Sequence, residues 1–169
     1  MNINISSLIP EEFPLSSKVW IYQANRPLSR NELLEIERSL QAFVVEWMSH
    51  GSPVKGSAHI LFDQFIVLLV DESYTGISGC STDSSVKIIK EIEKKHNIEL
   101  LNRQWLGFII KDKVELINQA ELSASLESNL LNSETPYFNN TVHTKQQLLE
   151  HWIIPIKNSW LRKYLPVES

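Results

Sequence analysis

One cysteine, five glycines and no apolar run longer than Phe65 to Val70 mark this chain of 169 residues. Each scarcity excludes something. A single cysteine, Cys80, cannot close an intramolecular disulfide or supply the paired thiolates of a structural zinc site. Of its five histidines, the four other than His50 (His59, His96, His143 and His151) show no ligand spacing, no pair stands at i, i+4, and no metal or cofactor is expected. The six-residue apolar run is far short of the roughly 20 residues that span a bilayer. Neither G-x-x-x-x-G-K-[ST] nor G-x-G-x-x-G occurs, so no phosphate loop or dinucleotide loop is encoded, and the G-x-S-x-G nucleophile elbow is missing too. Basic residues are outnumbered, 16 against 20 acidic, and are scattered, which disfavours nucleic acid and anionic membrane as partners. The first residues, Met1 to Ser7, carry neither a basic n-region nor an apolar h-region, and the expected location is the cytoplasm.

What is present reads as an alternation of strands and helices. Residues 1–17, with Pro10, Glu11, Glu12 and Pro14, suit an arm on the surface or a disordered one, and residues 18–169 a single domain. Val19 to Ala24 alternates Val19 and Ile21 with Trp20 and Tyr22, as a strand covered on both faces does. Ser29-x-x-Glu32 is a capping box, followed by Leu33, Ile36, Leu40, Phe43, Val44 and Trp47 at helical spacing, and the helix is expected to end at His50-Gly51. Ala58–Phe62 and Phe65–Val70 flank Asp63-Gln64 and predict an antiparallel hairpin, its second strand central.

A helix is predicted from about Asp83 to His96, then a strand from Trp105 to Ile110 turning into a short Val114–Leu116. Asn118-x-x-Glu121 opens a helix bearing Leu122, Leu126 and Leu130. Residues 132–142 read as a loop, and Thr144-x-x-Gln147 opens a last helix bearing Leu148, Trp152 and Ile153 that Pro155 kinks or restarts. The order implies an α+β fold: a mainly antiparallel sheet with helices on one face, in split β-α-β (ferredoxin-like) order with C-terminal helices added.

The chemistry concentrates in Ser78-Gly79-Cys80-Ser81-Thr82-Asp83-Ser84-Ser85, between the central strand and a helix start. Helix N-termini stabilise anions and thiolates, so Cys80 is the candidate nucleophile or ligand, with His50 as its base. Ser78, Gly79, Ser81 and Asp83 are candidate anion-binding residues, and Arg103 the cation that reaches a neighbouring pocket or pairs with Glu91 or Asp83. The competing explanation is structural: a capped helix with Asp83 at its N-terminus, a small apolar cysteine, and a histidine set against a helix C-terminus.

The string Trp47-x-x-His50-Gly51, the hairpin ending Val70-Asp71-Glu72, the cysteine segment and Asn102-Arg103 resemble a family of small Bacteroidetes-type proteins of uncharacterised function, over about residues 18 to 165. Members often carry the label "ABC transporter ATPase", which the missing Walker loop does not support here. The resemblance implies a soluble bacterial domain and singles out His50, Gly51, Gly79, Cys80, Asp83 and Arg103. Two functions are compatible with these features. One is a non-catalytic binding or scaffold domain, with a protein or small-molecule anion as partner and a homodimer as an option. The other is a thiol-dependent or anion-binding enzyme using Cys80.

Overall fold

The computed structural model describes residues 3–49, 51–73 and 79–167. The elements, in chain order, are β1 (Lys18–Gln23), α1 (Arg30–Glu46), β2 (Met48–Ser49), β3 (Ser52–Pro53), β4 (Lys55–Leu61), β5 (Phe65–Asp71), α2 (Gly79–His96), β6 (Trp105–Ile110), β7 (Lys113–Asn118), α3 (Leu122–Glu127), β8 (Pro136–Phe138), α4 (Lys145–His151) and β9 (Ile153–Pro155), with short 3-10 turns between some of them. The fold is α+β with antiparallel sheets. β5, buried at every position, lies between β1 and β4, and this order is the split β-α-β unit that the sequence predicts.

The fourth strand of a ferredoxin-like sheet would extend that sheet along the free side of β1. Here it does not. β6 turns away and becomes part of a second sheet, β7-β6-β8-β9. Two interactions displace it. Residues 143–145 occupy the outer edge of β1 at its start, with Val19 N–H donating to the His143 carbonyl at 3.0 Å and Lys145 N–H to Ser17 at 2.9 Å. At its end the Gln23 side chain, not the backbone, reaches the Trp105 carbonyl at 2.9 Å. A cleft separates the two strands, and the second sheet closes over its far side.

The three larger apolar clusters follow from this layout. Trp20 and Tyr22 face α1 and α2 together with Ile36, Leu40, Ile66, Leu68 and Ile89. Val19, Phe65 and Leu69 face the other way, onto Phe138, Leu148 and Trp152. Phe65, Phe138 and Trp152 interlock with ring centroids 4.5 to 5.3 Å apart, the range in which tilted aromatic pairs attract. A third cluster holds the second sheet against α3 and the C-terminal turns through Phe108, Tyr137, Leu122 and Leu161.

Local chemistry explains where the elements differ from the sequence expectation. The Ser29–Glu32 box forms as predicted, but α1 stops at Glu46, because Trp47 leaves the helix to pack, 2 % exposed, against Val54 and Val70. A Cβ on Gly56 would lie 2.9 Å from the Trp47 ring, so glycine is needed for that approach. Gly51, at φ 78°, turns the β2–β3 hairpin instead of ending the helix. α2 begins at Gly79, four residues before the predicted start, so Asp83 is an exposed residue of its second turn and not its cap.

Asn118 caps a 3-10 turn ahead of α3, which ends early: Asn129 takes a left-handed φ of 59°, leaving Leu130 half exposed and burying Leu131. The predicted loop 132–142 contains β8, and Ile153 belongs to β9 rather than to the last helix. Three-residue strands carry too little alternation to be seen in sequence; register with a neighbour, Phe108 opposite Tyr137 and Tyr137 opposite Ile154, creates them.

The arm is a packed element. Ile5, Ile9 and Phe13 are buried with Leu148 and Trp152. The buried Lys145 side chain holds it, its ammonium donating to the Pro10 and Phe13 carbonyls, each at 2.7 Å.

Candidate functional site

The cleft between β1 and the second sheet has a volume of about 550 Å³. It is lined by β1 from Val19 to Gln23, by residues 100–103, by the start of β6 and by residues 140–143, with Trp105 and Trp160 among its walls. A chain of polar side chains joins the two sheets at this place. Trp152 Nε1 donates to Asn140 Oδ1 at 2.9 Å, Asn140 Nδ2 donates to Gln23 Oε1 at 3.1 Å, and Gln23 Nε2 donates to Trp105 O. Gln23 is only 7 % exposed, so each of these bonds replaces water the amide could not otherwise reach. Gly107 makes the approach possible: a Cβ there would meet Gln23 Oε1 at 2.7 Å and Phe138 at 3.2 Å.

Hydrogen bonding along β1 alternates. Ala24 N–H donates inward to Gln64 O, whereas Val19 N–H points outward to His143. Ile21, two residues on from Val19, therefore directs its N–H and C=O into the cleft, and no described residue bonds to either.

Arg103 is placed at the rim by the segment before β6. The Glu93 carboxylate accepts from Leu100 N and Leu101 N at 2.7 and 3.3 Å, and Asn25 accepts from Glu99 N at 3.0 Å. The Asn102 side chain accepts from Gln104 N, closing a tight Asx turn around Arg103. Arg103 is exposed, and no hydrogen bond or ion pair joins it to a described residue; the expected pairs with Asp83 and Glu91 do not form. It does act on Tyr22. Burial pushes the Tyr22 phenol up from its ordinary pKa, while a hydrogen bond with Ser85 and the Arg103 charge pull it back. Tyr22 thus stays a neutral donor beside a cation at neutral pH.

Of the candidate site residues singled out in the sequence, Arg103 lines this cleft, and among the described residues no other candidate does. Asp83 lies on a separate shallow groove with Val86, Lys87 and Lys90. His50 and Ser78 fall outside the described residues, as do the side chains of Gly79, Cys80 and Ser81, whose backbones form the first turn of α2. Gln23, Tyr22, Asn140 and Trp105 were not foreseen as a group. One signal was legible: Gln23 continues the Val19, Ile21 face of a strand, and an amide on an apolar face needs a partner.

Among the described residues, no group of three or more His, Cys, Asp or Glu could hold a metal ion, and no helix is long and apolar enough to cross a membrane. Comparison with protein-family models, with curated proteins and with solved structures found no match.

Proposed function

We propose that this protein is a non-catalytic binding module and that the cleft beside β1 is its recognition surface. The observation that carries the reading is the unpaired Arg103 at the rim of a concave, aromatic-lined space that also holds free backbone groups. A few convergent polar groups in an otherwise apolar concavity are the usual make-up of ligand sites. A cation that no described residue pairs favours an anionic ligand, and the neighbouring Tyr22 phenol and Asn140 amide add neutral hydrogen-bonding partners. The ligand class is therefore a carboxylate or similar anion attached to an apolar group. The cleft is complete within one chain, so this reading calls for no homodimer; a cytoplasmic location and a bacterial source go with it as expectations from the sequence.

The test is a titration of isotope-labelled protein with phenylacetate, followed by amide and indole NMR, with phenethylamine as the charge-reversed control. Phenylacetate is expected to shift Ile21, Arg103 and Trp105, phenethylamine to leave them unmoved, and Arg103→Gln to abolish the response. Cys80→Ser should leave the titration unchanged. Shifts confined to other surfaces, or none up to tens of millimolar, would overturn the reading.

A further inference from the structure

Taking the cleft as the binding site, we propose that its occupant is an extended acidic peptide segment of a partner protein, which adds as a strand along the outer edge of β1 and sets a carboxylate side chain on Arg103. The edge presents, in order, the Val19 carbonyl, the Ile21 N–H, the Ile21 carbonyl and the Gln23 N–H, with no described residue bonded to any of them. These groups alternate acceptor and donor over four residue steps, about 13 Å at roughly 3.3 Å per residue. A small anion satisfies one donor and no acceptor. A peptide backbone satisfies them all, as in strand addition to other open sheet edges.

The chain itself shows that this edge accepts such a segment. Residues 143–145 already lie antiparallel along the start of β1, around the Lys18–Thr144 bridge, and the chain leaves the edge just before His143, where Val142 N–H turns back to the Asn139 carbonyl. A peptide in the same line and direction runs opposite Ile21, its N-terminal end beside Gln23 and Tyr22. Arg103 lines the cleft at that end together with Tyr22 and Gln23, and its charge bears on the Tyr22 hydroxyl, which sets it on the Tyr22 face of β1. With the third residue paired with Ile21, the second lies opposite Tyr22 and shares its face, so an acidic side chain at the second position meets the cation, and the walls offered by Trp105 and Trp160 receive apolar side chains.

The probe is a mixture of acetyl-X-Glu-Thr-X-amide peptides with X drawn from Val, Ile, Phe and Trp, added to labelled full-length protein. Exchange of the Ile21 amide should slow at least tenfold at saturation. Glutamine in place of the peptide glutamate, or Arg103→Gln in the protein, should weaken binding about tenfold, the effect of losing one charge-assisted hydrogen bond. N-methylation of the threonine amide, which would donate to the Ile21 carbonyl, should abolish the protection. If phenylacetate shifts the cleft but no peptide slows Ile21, the peptide inference fails and the binding-site reading survives. If neither ligand perturbs the cleft, both fail.

Discussion

Replacing Gly107 by alanine tests whether the two sheets are held apart by the geometry described above. The added methyl would stand 2.7 Å from Gln23 Oε1, 3.2 Å from Phe138 and 3.5 Å from Phe65. The amide end is the only one of these that can swing away, and doing so breaks the bond from Asn140 and disturbs the bond to Trp105 O. Overpacking of a tight core costs about 1–3 kcal/mol and a lost buried hydrogen bond about 1 kcal/mol. Against this, alanine lowers the entropy of the unfolded chain by about 0.5–1 kcal/mol. The expected net loss is about 1–3.5 kcal/mol, a fall in urea midpoint of about 0.5–1.8 M at a slope near 2 kcal/mol/M.

The second arm is Gln23→Ala. It removes the amide and leaves the Trp105 carbonyl and Asn140 Nδ2 without the partner they share, at about 2–3 kcal/mol. With the amide gone, the alanine at 107 has room. The double variant should therefore be about 1–2 kcal/mol more stable than the sum of the single effects. Urea unfolding monitored by tryptophan fluorescence measures all three. A Gly107→Ala protein as stable as the parent, or strict additivity in the cycle, would refute the close approach as the reason for glycine.

Lys145→Met keeps the buried aliphatic stem but strips two carbonyls of their donor; hydrogen exchange should show the amides of residues 10–17 opening about tenfold to a hundredfold faster, with β5 unaffected, as expected for a loss of about 1–3 kcal/mol confined to the arm. Asp63 holds a left-handed φ of 52° in the β4–β5 turn, so Asp63→Gly should raise stability by about 0.5–1 kcal/mol in urea melts. The Arg26 guanidinium, bonded to both Glu32 oxygens, lowers that carboxyl to about 2. Its contribution is present above the unfolded value near 4.5 and is lost as pH falls toward 2; with Arg26 partly exposed it is about 1–2 kcal/mol, and Glu32→Gln should flatten that part of the pH-stability curve. Burial lowers the His59 pKa, so the unfolded chain binds the proton first and stability should begin to fall below about pH 6.5. His59→Gln should remove that limb.

Short-range rules determined much of the architecture. The Ser29 capping box, the Thr144 cap, the wholly apolar β5 and the Val19/Trp20 alternation each depend on neighbours within a few residues, and each forms as the sequence indicates. The split β-α-β unit follows from them. The fate of β6 does not, because pairing is a competition at the outer edge of β1, settled by residues 143–145 more than a hundred positions away. The same competition buries the arm, promotes residues 136–138 from loop to strand and opens the cleft. Arg103 was legible as a cation near a pocket, since charge and position in a turn are local properties. Its lack of a partner among the described residues, and its convergence with Tyr22, Gln23 and Asn140, depend on segments far apart in sequence, and only the tertiary structure decided them.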